Sequence, residues 1–153
     1  AVARTSPLEC LPPVEALRLV RESVLALRRR KSMVLDPADP NTRSAGSFFM
    51  NPVVTAAAFA ELEARWKSSG RDGRIPAYPA EAGVKLSAAW LVEQAGFVKG
   101  HRRGGVGVSS RHALALVNYG GTAAELLALG DAIAEAVAER FGIRLEMEPQ
   151  IVA

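Results

Sequence analysis

The stretch TAAELLALGDAIAEAVAERFG, residues 122–142, leaves the chain little freedom. Thr122 and Glu125 stand at capping-box spacing, so each can satisfy a backbone N–H that the first helical turn leaves without a partner. Leu126, Leu129, Ile133, Val137 and Phe141 recur at three- and four-residue steps, which puts them on one face of a helix. Gly142 follows as a stop, because glycine accepts the left-handed conformation in which many helices end. A helix with so distinct an apolar stripe must lay it on another layer, and the rest of the chain has to supply that layer.

The upstream segments read as follows. PPVEALRLVRESVLALRRRK (12–31) predicts a helix, with Pro13 in its first turn, Leu17, Val20, Val24 and Leu27 as a stripe, and its basic end at the negative pole of the helix dipole. Residues 32–46 carry two Asp-Pro pairs and read as a loop. SFFMNPVV (47–54) predicts a strand that Pro52 confines to an edge or an end. Residues 55–70 predict a helix, capped by Thr55, striped by Phe59, Leu62 and Trp66 and ended by Gly70. Residues 71–83 read as a loop. Residues 84–96 read as a short helix with Ala88, Leu91, Val92 and Ala95 inward. The glycine-rich residues 101–110 read as an irregular loop, and 112–119 and 143–152 as strands. The order helix, strand, helix, helix, strand, helix, strand predicts an α+β fold, a mixed sheet with helices packed on it.

A length of 153 residues suits about one domain, and 49% hydrophobic with 23% charged residues excludes wholesale disorder. No run approaches 18 uncharged apolar residues, so no membrane partner is expected. The start AVARTSPLECLPP has no apolar signal-peptide core and no initiator Met, which fits a piece of a longer protein. Cys10 is the only cysteine, so no internal disulfide or cysteine zinc cluster can form. Two histidines, His101 and His112, are too few for a multi-histidine metal site. A reducing, cytoplasmic compartment fits these counts, and no metal is expected. The net charge of +3 suits an anionic ligand, although the runs RRRK (28–31) and HRR (101–103) are each also ordinary solvated surface.

Several residues carry chemistry. In an extended chain Ser47 and Asn51 face one way, roughly 13 Å apart at the usual rise, so they can contact two ends of a long ligand but not one small group. A serine can hand on a proton where a charged acid would be costly to bury. Glu146 and Glu148 share a strand face, and a carboxyl group in an apolar site can stabilise a developing oxyanion. His112, which opens a strand, can donate to a phosphate or a carbonyl. Tyr78 with Lys85, and Lys31 at a helix end, can serve as a ring platform and anion contacts. Each has an ordinary structural or surface reading beside it. A Ser47–His112 hydrolase triad is disfavoured because Ser47 precedes a strand instead of following one.

Taken together, AGSFFMNPVV, AYPAEAGVKLSAAWLVEQAGF, RHALALVNYGG and FGIRLEMEPQIV occur in an order and spacing that resembles the C-terminal part of the UDP-N-acetylenolpyruvoylglucosamine reductase (MurB) family, over about residues 13–153. The resemblance implies a cytoplasmic flavoenzyme of peptidoglycan synthesis. Such an enzyme uses FAD and NADPH to reduce UDP-N-acetylglucosamine enolpyruvate to UDP-N-acetylmuramate. It implies that Ser47 is the proton donor and that Glu148 assists it, with Lys31, Asn51, Tyr78, Lys85 and His112 as substrate contacts. Met50 departs from the family's lysine, Ala89 from a glycine, and the terminal E-M-E-P leaves the choice of Glu148 over Glu146 to register. Nothing in residues 1–44 resembles the family's FAD-binding region. The implied division is residues 1–31 as the tail of a preceding FAD-binding domain or a connecting helix, and 32–153 as the substrate-binding domain. Alone, the chain is then expected to bind no FAD and to lack reductase activity. The competing reading is a non-catalytic basic module of the same fold that binds nucleic acid or another anion. Only 6% aromatic content and scattered cations argue against a nucleic-acid partner.

Overall fold

The computed structural model describes residues 11–71 and 73–152; Cys10 lies outside them. Four helices are present there: α1 (Pro13–Arg30), α2 (Ala56–Ser68), α3 (Ala88–Gln94) and α4 (Ala123–Phe141). Six short strands accompany them: β1 (Val53–Val54), β2 (Ala77–Ala80), β3 (Gly83–Leu86), β4 (Arg102–Arg103), β5 (Val106–Val108) and β6 (Leu116–Asn118). The fold is α+β. The strands form two antiparallel three-stranded sheets, ordered β1-β3-β2 and β4-β5-β6, where the sequence suggested one mixed sheet.

The helix signals act as their chemistry dictates. Thr55 and Ser87 accept the Ala58 and Trp90 N–H groups at the starts of α2 and α3. Thr122 and Glu125 close the capping box of α4, and Gly142 ends it at φ 69°. Leu129, Ile133, Val137 and Phe141 are buried, and α4 lies on β5 and β6. Leu62 and Trp66 of α2 and Ala88, Leu91 and Val92 of α3 complete the same core. Helix α1 forms over the expected residues but none of them is buried.

Five segments differ from the sequence reading. Residues 84–96 divide at Ser87: Val84 and Leu86 alternate with Lys85 at the strand period, and the helix begins only at Ala88. Gly83 must be glycine, because its φ is 139° and a Cβ there would run into the Val54 carbonyl. Residues 77–80, expected in a loop, make β2, and Pro79 is accommodated because β2 is an edge strand. The glycine-rich 101–110 stretch folds as the β4–β5 hairpin, with Gly107 against the His101 carbonyl and Gly105 against Gly121. Residues 143–152 make no strand. They give one bridge, Phe49 with Met147, flanked by Met50 N–H to Glu146 and Glu148 N–H to Phe48, and Pro149 interrupts donation beyond it. Within 47–54 only Val53–Val54 is regular, because Pro52 separates pairing with residues 146–148 from pairing with β3.

Candidate functional site

Four segments remote in sequence close around a cleft of about 450 Å³: the end of α1 with the residues after it, the Ala45–Ser47 turn, the His112 loop and the Glu148 loop. Its lining includes Arg28, Lys31, Met33, Ser47, His112 and Glu148. The volume lies in the range of ordinary ligand sites. Four of the seven residues singled out from sequence, Ser47, Glu148, Lys31 and His112, therefore share one cleft.

Each wall has a local cause. Lys31 follows the last turn of α1, and Ser32 takes φ 55°, the left-handed position usually given to glycine. The Met33 N–H bonds to the Arg28 carbonyl and the Ser32 N–H to that of Arg29, the paired closure of a Schellman turn. A serine is kept there because its buried Oγ donates to Asp39 Oδ2 at 2.6 Å. Hydrogen bonds from Ser32 and then Asn41 hold the Asp39 carboxyl below the usual carboxylate range. Asn41 joins this turn to the hairpin. Its Nδ2 donates to Asp39 Oδ1, and its Oδ1 accepts from Ser109 Oγ, Ser110 N and Tyr119 Oη. The Arg102 guanidinium lies 3.0 Å over the Tyr119 ring.

Ser47 is half-buried, and the two residues after it fix its backbone. The Phe48 N–H donates to Leu114 O at 2.8 Å, and Phe48 O accepts from Glu148 N at 3.0 Å. Phe48 and Phe49 both sit in the core, edge to face at 5.2 Å. Neither lines the cleft; they anchor the chain on which Ser47 stands. The pairing of Phe49 with Met147 also sets the register of the tail, and it is Glu148, not Glu146, that borders the cleft.

His112 is half-buried and its Nδ1 accepts the Leu114 N–H at 3.1 Å. The neutral ring then carries its proton on Nε2 as a donor. Burial first, and then the charges of Lys31 and Lys99, hold its pKa below the usual histidine value. The folded pKa is thus below the unfolded value of about 6.5, and the unfolded chain binds more protons. Stability therefore falls as pH drops from about 6.5 through the lowered folded value. His112→Gln should flatten this dependence: between pH 7.5 and 5.5 the urea midpoint of the variant should fall less than that of the parent. Equal falls would refute the assignment.

Asn51, Tyr78 and Lys85 lie elsewhere. Asn51 Oδ1 accepts the Ala88 N–H at 2.9 Å, so it ties the chain to the start of α3. Tyr78 and Lys85 are cross-strand partners on β2 and β3, and Val53 of β1 continues the row on their exposed face. The cleft also uses Arg28, which the sequence left within a basic run. Its three-residue spacing from Lys31 was the available signal, since that spacing places both on one side of a helix end.

A family model for the C-terminal domain of UDP-N-acetylenolpyruvoylglucosamine reductase matches residues 37–152. The chain belongs to this family. It is 54% identical over 136 residues to the UDP-N-acetylenolpyruvoylglucosamine reductase of Thermobifida fusca, covering 87% of this chain and 38% of that protein. Reductases of the same name from Mycobacterium tuberculosis and Nocardia farcinica are 51% and 52% identical, with 87% of this chain and 37% and 36% of theirs covered. The chain thus spans well under half the length of these curated relatives. Among its described residues no helix is long and apolar enough to cross a membrane, and no cluster of three or more metal-ligating acidic, histidine or cysteine side chains occurs.

Proposed function

We propose that this chain is the substrate-binding and proton-donating domain of a cytoplasmic oxidoreductase of peptidoglycan synthesis. That enzyme reduces UDP-N-acetylglucosamine enolpyruvate to UDP-N-acetylmuramate, with FAD and NADPH used by the full-length enzyme. The observation that carries the reading is the convergence of Ser47, Glu148, Lys31 and His112, from four separate segments, on one cleft. Family membership supports it independently.

In this reading the substrate's negative charges lie against Arg28 and Lys31, and the Nε2–H of His112 donates to a phosphate or carbonyl oxygen. Ser47 gives its Oγ proton to the carbon that bears the carboxylate and regains one from solvent through the open side of the cleft. A neutral hydroxyl suits a half-buried donor, because an ionised acid in the same place would carry a desolvation cost. Glu148 stabilises the carboxylate-bearing intermediate from the neighbouring wall. Asn51, Tyr78 and Lys85 contact a more distant part of the same long ligand.

The chain's own residues do not fit a dinucleotide cofactor. Its glycine-rich stretch is a hairpin whose missing side chains admit backbone, with Gly105 against Gly121 and Gly107 against the His101 carbonyl. The start of α4, which could otherwise take a phosphate, is filled by the Glu125 carboxylate, 2.7 Å from the Thr122 N–H. We therefore assign residues 32–153 to the substrate and place the cofactors on a preceding domain, with residues 1–31 as that domain's tail or a connecting helix. The full-length polypeptide should form UDP-N-acetylmuramate with NADPH consumption that requires the enolpyruvyl substrate. Bound flavin without such substrate-dependent turnover would overturn the reading.

A further inference from the structure

Helix α1 is 18 residues long and amphipathic, yet it buries nothing. Val14, Leu17, Val20, Val24 and Leu27 follow one another at three- and four-residue steps along one face, and they are between 42% and 78% exposed. Single exposed apolar side chains need no explanation, but five aligned on one helix do. Helices draw most of their stability from packing such a face, and one of this length is marginal in water without it. Among the described residues nothing covers this face.

The sequence shared with relatives bears on what covers it. The C-terminal-domain family model takes about 116 residues, from 37 to 152, and excludes α1. The similarity to the Thermobifida fusca reductase covers 87% of 153 residues, about 133, so it reaches back to about residue 20 or earlier. At the least, the half of α1 that carries Val24 and Leu27 is therefore shared with a longer reductase. That half lies outside the C-terminal domain of the family model. The same relative has 62% of its length outside the matched part, since 38% is covered. An apolar stripe on shared sequence just outside the domain model fits packing against that remaining length.

We infer that the Val14–Leu27 stripe is the docking surface for the part of the same reductase polypeptide that precedes this chain. The inference rests on the reductase reading and adds the partner of one surface to it. It also has a consequence for the cleft. Arg28 and Lys31 stand at the end of α1, so the partner that seats the stripe also sets where these two cations stand. At the other end the Schellman turn and the Ser32–Asp39 bond already hold the helix to the domain. Docking would lock the helix from both sides.

Amide hydrogen exchange tests this without substrate. Amides of residues 14–27 should exchange on the order of tenfold or more slowly in the full-length polypeptide than in the 153-residue chain. Replacing Leu17→Glu together with Val24→Glu in the full-length protein should abolish that difference. Amides of 106–108 and 129–141 should stay protected, because the stripe contributes nothing to the core of this domain. Equal exchange of 14–27 in both forms would overturn the proposal. So would protection that appears in the 153-residue chain alone and grows with its concentration, because the occupant would then be a second copy. Turnover with unprotected 14–27 would sink the docking surface only, and protected 14–27 without turnover would sink the reductase reading only.

Discussion

Replacing Ser47 with alanine in the full-length enzyme should leave flavin reduction by NADPH at its normal rate. Reoxidation of the flavin by the enolpyruvyl substrate should slow by about 10²–10⁴-fold, the usual worth of a positioned proton donor. The variant removes one hydroxyl and little else. The backbone at this point is held by the Phe48 N–H bond to Leu114 and the Glu148 N–H bond to Phe48, and both survive the change. Stopped-flow absorbance at the flavin band separates the two half-reactions. Equal loss of both steps, or unaltered reoxidation, would remove Ser47 from the role.

The second large effect is on stability. Phe48→Ala should cost about 3–5 kcal/mol, the usual range for deleting a buried aromatic ring. Phe48 is 4% exposed and packs over Gly130 of α4, where even a single added Cβ would stand 2.6 Å from the ring. Because glycine faces the ring, α4 offers no side chain at that point to fill the hole. The same ring anchors the segment bearing Ser47, so catalytic loss should accompany the loss of stability even at temperatures where the variant is fully folded. Urea unfolding measures the first effect. A change below about 1 kcal/mol would show that the site collapses freely and that Phe48 is no anchor.

The sequence was most legible where one local rule acted alone. The capping box and stripe of α4 were readable because a helix start and a helix face are set by residues three and four apart. Thr55 was readable for the same reason. The β2–β3 hairpin was not, because Pro79 argued against a strand and only its edge position excuses it. The β4–β5 hairpin was hidden by glycines that admit backbone from His101 and Gly121, and the Gly105–Gly121 contact spans more than a local window. Asn41 was overlooked in a loop, although five donors and acceptors from Ser109, Ser110, Tyr119 and Asp39 meet on its side chain.

The candidate site divides in the same way. By itself the sequence determined which residues could do the chemistry. A hydroxyl, a carboxylate, a cation and an imidazole stood in stretches that resemble one family, and side-chain chemistry belongs to the residue wherever it is placed. Only the tertiary structure decided which of them meet. The pairing of Phe49 with Met147 brought Glu148 to the cleft and kept Glu146 from it, and the Schellman turn at Ser32 brought Lys31 and Arg28 there. Tyr78 and Lys85 were held apart on the β1-β3-β2 sheet, and Asn51 at the start of α3. The exposure of the α1 stripe was likewise invisible in its period. Periodicity says which side chains share a face, but whether that face is covered depends on what packs against it.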